Sequence, residues 1–248
     1  VTTSVLVSTL IGVAVLIAVA TGVLAVFGAP HRWAPALAVL RGMLQLAVVS
    51  VILTGVITNA LWVGLALVVM FVVASSTATH RIGWSGSHAL MMFSAMAAGI
   101  AVTLVVVFTT GAIEFSARYV LAIGGIVIGN SMGIATLAGR RFTEMTIDQW
   151  DQVEGWMALG AAPRQSTRDL ARQAVYSALI PSTDQTKTTG LVTLPGAFVG
   201  AIFGGVSPLE AGRFQIVVLA GIMAAGAVTA VLVTLWMAPV RVKPVPLR

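Results

Sequence analysis

Cysteine is absent from the chain, which removes disulfides, thiolate metal ligands and cysteine nucleophiles together. Charge is scarce as well: Asp, Glu, Lys and Arg make up 9% of the 248 residues, against about a quarter in soluble domains. The only lysines are Lys187 and Lys243. Neither closes the glycine-spaced string of a phosphate-binding loop, so this chain has no means of hydrolysing ATP. Strand-like alternation of polar and apolar residues is missing, which excludes a membrane β-barrel. There is no internal repeat and no low-complexity linker, so residues 1–248 read as a single domain.

What remains is apolar. Hydrophobic residues make up 58% of the chain and the mean hydropathy is +1.00, the signature of an integral membrane protein. Crossing the hydrocarbon core takes about 20 apolar residues per helix, and that ruler finds about seven transmembrane helices. They fall near 5–27, 34–57, 60–75, 89–110, 119–138, 186–204 and 215–238. Backbone groups in lipid must be satisfied within each segment, so the expected fold is all-α and polytopic. The run at 5–27 is too long for a signal-peptide core and is expected to be retained as a span.

The net charge of +6 could point to nucleic acid, but the basic residues are scattered between apolar runs and form no single basic surface. Read as topology, they are asymmetric. With the polar stretch at 139–185 placed in the cytosol, that side receives Arg32, Arg41, Arg81, Arg140, Arg141, Arg164, Arg168, Arg172, Lys187, Arg241, Lys243 and Arg248. The other side keeps Arg118 and Arg213. The expectation is a multi-pass protein of the inner (plasma) membrane, N-terminus outside and C-terminus in the cytosol. Gly124, Gly125, Gly129 and Gly133 add a stripe of small residues suited to close helix packing and self-association.

The polar stretch carries the most information. From Arg140 to Leu159, the apolar Phe142, Met145, Val153, Trp156 and Met157 recur at helical spacing, and Glu144, Asp148 and Asp151 share another face. This predicts an amphipathic continuation of the fifth span. Gly160 is suited to end it and Pro163 to open the next helix, making a sharp helix-turn-helix corner. Arg164, Arg168 and Arg172 then follow at i, i+4 and i+8, opposite Leu170, Ala174, Val175 and Leu179. Such a stripe suits either anionic headgroups of the lipid bilayer or an acidic protein partner.

Glu154, with Gly160 six residues on and Ile180-Pro181 beyond, resembles the coupling loop of ABC importer permeases. Wider blocks are more specific: Gly129-Asn130-Ser131-Met132, Ala158-Leu159-Gly160-Ala161, Leu179-Ile180-Pro181, Gly190-Leu191-Val192-Thr193-Leu194-Pro195-Gly196, and the run from Gly204 to Ala211 with Gln215-Ile216. Together with Arg41 to Leu46, these are similar to the FetB-type ABC permease family, which includes bacterial iron-export permeases and plant permeases linked to aluminium tolerance. The resemblance implies a permease subunit that moves a metal cation, with iron export the suggested case. It also implies a homodimer and a separate ABC ATPase subunit that holds ATP and Mg; no cofactor is expected in this chain. ATPase coupling would fall to Glu154, Leu159, Gly160, Ala161, Pro163, Arg164 and Arg168. The chain departs from the family after Pro195-Gly196, where Ala197, Phe198 and Ala201 replace paired methionines and a glutamine. It departs again after Pro181, where Ser182 to Gln185 replace a common asparagine.

Polar residues within spans are costly and mark function by default. Arg41 and Gln45 share a face of the second span and Asn130 lies inside the fifth. Pro195-Gly196 is expected to break the sixth span near its middle, a feature tolerated where helices line a water-filled path. These five residues are the candidate translocation path. The bland readings stay open: snorkelling for Arg41, helix bonding for Asn130, an ordinary kink at Pro195. Asp184 and Lys187 are expected to pair. Met91, Met92 and Met96 suit packing better than soft-metal ligation, and His80 and His88 lack a neighbouring carboxylate. No metal ligand set is assigned. Gly83-Trp84-Ser85-Gly86 is similar to a rhomboid protease serine motif, but no histidine follows His88 to serve as base. The competing function class is a transporter or channel without an ATPase, its polar stretch a scaffold on the lipid surface.

Overall fold

The computed structural model describes residues 3–56 and 59–246, those of 51–56 by their backbone alone. Ten α-helices account for nearly all of it: α1 (Thr3–Phe27), α2 (Ala34–Val56), α3 (Ala60–Ile82), α4 (Gly86–Thr109), α5 (Ala117–Asp148), α6 (Trp150–Ala158), α7 (Pro163–Ser166), α8 (Arg168–Thr188), α9 (Gly196–Phe203) and α10 (Pro208–Met237). Five of them, α1, α3, α4, α5 and α10, are long and apolar enough to cross a membrane, and the 34–50 part of α2 is a shorter apolar helix. The protein is an all-α polytopic membrane protein, as expected. Ile57, the expected end of the second span, and Arg248 lie outside the described residues.

Two compact units are present, Val1–Asn59 and Ala60–Arg248. In the first, α1 and α2 pack on each other, and the turn between them passes through Gly28 and His31, both at positive φ. The second is a bundle of α3, α4, α5, α8 and α10 around a core that includes Ile82, Met91, Met92, Met96, Ile123 and Val127. The three methionines are fully buried, so their role is packing. Serines start three of the helices as N-caps: Ser85 accepts from the His88 N–H, Ser116 from Tyr119 and Ser207 from Glu210. Each satisfies an amide that the helix itself cannot.

The third span runs on to Ile82, seven residues past its expected end at Ser75. In its polar tail Ser75, Thr77 and Thr79 donate back to the carbonyls of Val72, Val73 and Ser75, satisfying their hydroxyls locally.

The larger correction concerns the sixth span. Residues 186–204 are not one helix: α8 ends at Thr188, a tight turn at Gly190 (φ 87°) follows, and Pro195 is the N-cap of the eight-residue α9. The passage between the two ends of the bundle is made by α8 instead. Thr167 meets Ala238, Leu179 lies near Gly226 and Thr183 meets Met223, so α8 runs antiparallel to α10 along most of its length. Pro181, expected to close the cytosolic stretch, sits inside α8. The hydropathy ruler misses this helix because Arg168, Asp169, Arg172, Gln173, Asp184, Gln185 and Lys187 all belong to it. Packing between α5 and α10 shields its apolar side, with Ala174 and Ala178 buried. Lys187, near the C-terminal end of α8, is thus separated from Arg164 by nearly the whole length of that helix.

The glycine stripe on α5 divides. A methyl at Gly124 would come 2.9 Å from Leu67 and one at Gly125 3.1 Å from Met70, so these two do let α3 approach. Gly129 and Gly133 face open space. A close approach to backbone lies elsewhere, between α4 and α10: a methyl at Gly99 would stand 2.5 Å from the Ala225 carbonyl oxygen. Around it the Thr229 hydroxyl donates to the Ala95 carbonyl and the Thr103 hydroxyl to Gly221.

Candidate functional site

The corner forms as its turn chemistry predicts, with one added break. α5 stops at Asp148, Gln149 takes a non-helical conformation (φ −110°, ψ 28°), and α6 continues from Trp150. At the end of α6, the Gly160 N–H donates to Met157 and the Ala161 N–H to Trp156, both at 3.0 Å, with Gly160 at φ 96°. This pair of bonds around a left-handed glycine is a Schellman motif. Pro163 then opens α7, the Ala162 N–H donates to Gln165 Oε1 at 2.9 Å, and Thr167 separates α7 from α8.

A second small core anchors the corner: Phe142, Val153, Leu170, Ala171, Ala174 and Ala238 are buried together, with Met145, Trp150 and Met157 against them. Trp156, expected on this apolar side, is instead about half exposed. Thr167, fully buried, donates to the Ala238 carbonyl at 2.7 Å, tying the α7–α8 junction to the end of α10. Sequence reasoning missed this bond, because nothing local marks Thr167 as the partner of a carbonyl 71 residues away. The outer edge of the corner is exposed: Glu154, Gly160 and Ala162 on the polar side, with Leu159 82% exposed.

The predicted coupling residues fall on two surfaces. Glu154, Leu159, Gly160, Ala161 and Pro163 belong to the corner itself, where Trp156, Ala161, Gln165 and Gln173 help line a cleft of about 450 Å³. Arg164 and Arg168 turn the other way, into a groove between α8 and α10 with Arg172. Arg172 pairs with Asp169 at 3.2 Å and Lys187 with Asp184 at 3.6 Å. Both pairs are well exposed, so each contributes less than about 1 kcal/mol.

The candidate path residues are not gathered in one place. Asn130 lines an open groove of about 310 Å³ between α5 and α8, with Gly129, Gly133, Pro181, Ser182 and Gln185. Its Nδ2 donates to the Ile126 carbonyl at 2.9 Å, leaving Oδ1 as an acceptor. Pro181 has no N–H, so the Ser177 carbonyl one turn back lacks its helical donor. The side chains of Asn130, Ser182 and Gln185 are the polar groups of a groove otherwise lined by Gly129, Gly133, Ile134, Leu137, Ala178 and Pro181. Pro195 and Gly196 do not line it; they start α9. Arg41 and Gln45 belong to α2, in the first unit, and are exposed. Three buried polar atoms escaped notice in the sequence: Thr21 Oγ1 on α1, Ser131 Oγ on α5 and Gln215 Oε1 on α10 have no hydrogen-bond partner among the described residues. Among the described residues, no three His, Asp or Glu side chains gather where they could hold a metal ion.

Residues 7–240 match the model of an uncharacterised protein family, UPF0014. The rice UPF0014 membrane protein STAR2 is 37% identical over 201 residues, covering 79% of this chain and 70% of that one. Protein ALUMINUM SENSITIVE 3 of Arabidopsis thaliana is 34% identical, covering 77% and 71%. The probable iron export permease protein FetB of Escherichia coli is 33% identical, covering 72% and 70%. No solved structure matches the chain.

Proposed function

The chain belongs to the UPF0014 family, and on that premise we propose that it is the permease subunit of an ABC transporter, driven by ATP hydrolysed on a separate subunit. The observation that carries the reading is the corner. A rigid, doubly bonded turn with an 82% exposed leucine at its tip is built to meet a protein surface. The C-terminal half of the corner is the start of α8, so a partner that pulls on it moves the helix lining the α5–α8 groove. Alternating access would follow from the ATPase pair closing and opening on two such corners in a homodimer.

The side-chain oxygens of Asn130, Ser182 and Gln185 along the groove are of the type a hard cation takes. The substrate class we propose is therefore a metal cation, and the name of the FetB relative favours iron moving out of the cytosol. The orientation that fits places the corner, Arg81, Arg140, Arg141 and Arg241 in the cytosol and Arg118, Lys187 and Arg213 outside. Asn130, Pro181 and Gln185 are the path residues this reading favours.

The test is co-purification with the ATPase encoded beside this chain, comparing wild type with Glu154→Arg. The expected result is a stable wild-type complex that the substitution weakens. Folded wild-type chain that captures no ATPase would refute the reading and leave the ATPase-independent transporter, for which corner geometry is irrelevant.

A further inference from the structure

Two grooves run along the sides of α10 and share a mouth. The first, about 760 Å³, lies between α4 and α10 over Ala95, Ala98, Leu232 and Trp236. The second, about 380 Å³, lies between α8 and α10 over Ala171, Val175, Val231 and Ala238. Arg164 and Leu235 line both. Leu235, half exposed, is the ridge between them, and Arg164 stands over their common end. Arg168 and Arg172 complete the rim of the second groove.

The chemistry at the mouth is cationic and unspent. Among the described residues, neither Arg164 nor Arg168 has a carboxylate within 4 Å, and Arg172 meets only the exposed Asp169. The floors are mainly apolar: Leu232 and Trp236 of α10 with Pro239 beyond its end line the first, and Val231 and Leu235 of α10 with Ala238 at its C-cap line the second. Trp236, partly exposed in the first groove, is the residue type enriched where headgroups meet hydrocarbon. A soluble acidic partner could reach the arginines but would leave both floors empty. A neutral lipid could fill the floors but would leave the guanidiniums unmatched.

We propose that these grooves form one site for an anionic diacyl glycerophospholipid. Its phosphate lies on Arg164, Arg168 and Arg172, and one acyl chain lies in each groove astride Leu235. The bound lipid joins α7 and α8, which carry the arginines, to α4 and α10, which carry the floors. The site is distinct from the corner tip and does not depend on which motor, if any, docks there.

Native mass spectrometry of the full chain, with palmitoyl-oleoyl phosphatidylglycerol, phosphatidylcholine of the same chains and glycerol 3-phosphate as probes, tests the assignment. One phosphatidylglycerol per chain is expected to survive conditions that strip phosphatidylcholine, and glycerol 3-phosphate is expected not to displace it. Each arginine near an anionic headgroup is worth roughly fivefold in affinity, so Arg164→Gln with Arg168→Gln is expected to weaken retention roughly 25-fold. Ala98→Phe, which fills the first groove and leaves the arginines in place, is expected to reduce phosphatidylglycerol retention as well. Equal retention of the two lipids by wild type would overturn the site, as would displacement by glycerol 3-phosphate. So would unchanged retention by either variant with a wild-type melting curve.

Discussion

Gly160 offers the sharpest test of how the corner works. Its φ of 96° is one that L side chains rarely adopt, yet a Cβ built there meets nothing within 4 Å. Any cost of substitution is therefore carried by the backbone, not by packing. Holding a non-glycine residue in the left-handed region costs about 1–2 kcal/mol, more for a β-branched residue and less for asparagine. The free chain can shed that strain by fraying the two Schellman bonds at Met157 and Trp156; a docked corner must restore them. The strain then appears as lost docking affinity, at least about 5- to 30-fold for Gly160→Val, while Gly160→Asn stays within about threefold of wild type. The melting temperature should change little, because the fraying is local. The assay is binding of the solubilised chain to the partner ATPase by interferometry, with melting measured on the same preparations. Gly160→Val docking within twofold of wild type would show that the turn's conformation is not what the partner reads.

Three further outcomes follow from the geometry. Gly99→Ala should destabilise the bundle by about 1–3 kcal/mol in thermal unfolding, since its methyl would meet the Ala225 carbonyl at 2.5 Å and the Thr229 hydroxyl at 2.6 Å; Gly129→Ala, in open space, should be neutral. Thr167→Val should remove the Thr167–Ala238 bond while the Ala238 carbonyl keeps the Val240 N–H, at a cost of about 0.5–1.5 kcal/mol, and Thr167→Ser should recover most of the loss, both read by denaturation in detergent. Gly133→Leu should fill the α5–α8 groove, abolishing cation flux into vesicles while leaving the melting temperature within a few degrees of wild type.

Legibility divided along a physical line. The corner was readable because its signals are local: Gly160 and Pro163 act within three or four residues of themselves, and the small core at Phe142 and Val153 follows helical period. The long apolar spans were readable because length and hydropathy suffice for them. What stayed hidden depends on partners far along the chain. Gly99 looks no different in sequence from Gly129, yet one touches the α10 backbone and the other faces open space. The Thr167–Ala238 bond joins two residues that nothing in the sequence associates. The mistaken sixth span has the same origin. Residues 186–204 are apolar enough to qualify, whereas α8 is disqualified by polar residues that the fold either exposes or turns into the groove.

That mistake matters for mechanism, because it changes what the corner is attached to. A corner followed by a flexible cytosolic stretch and a later span would transmit force poorly. Here the residue after the junction, Arg168, is already the first residue of α8, and the same helix carries Pro181, Ser182 and Gln185 of the groove. Twenty-one residues make a rod about 30 Å long, which runs from the corner to the residues of the groove without an intervening joint. Pro181 is the one weak point along it, since it removes a helical bond where the groove opens. The Thr167 bond gives α10 a share of any movement at the corner. A push at Gly160 thus reaches both α8 and α10 at once, and α5, which lies beside both, is the wall against which the groove would widen or close.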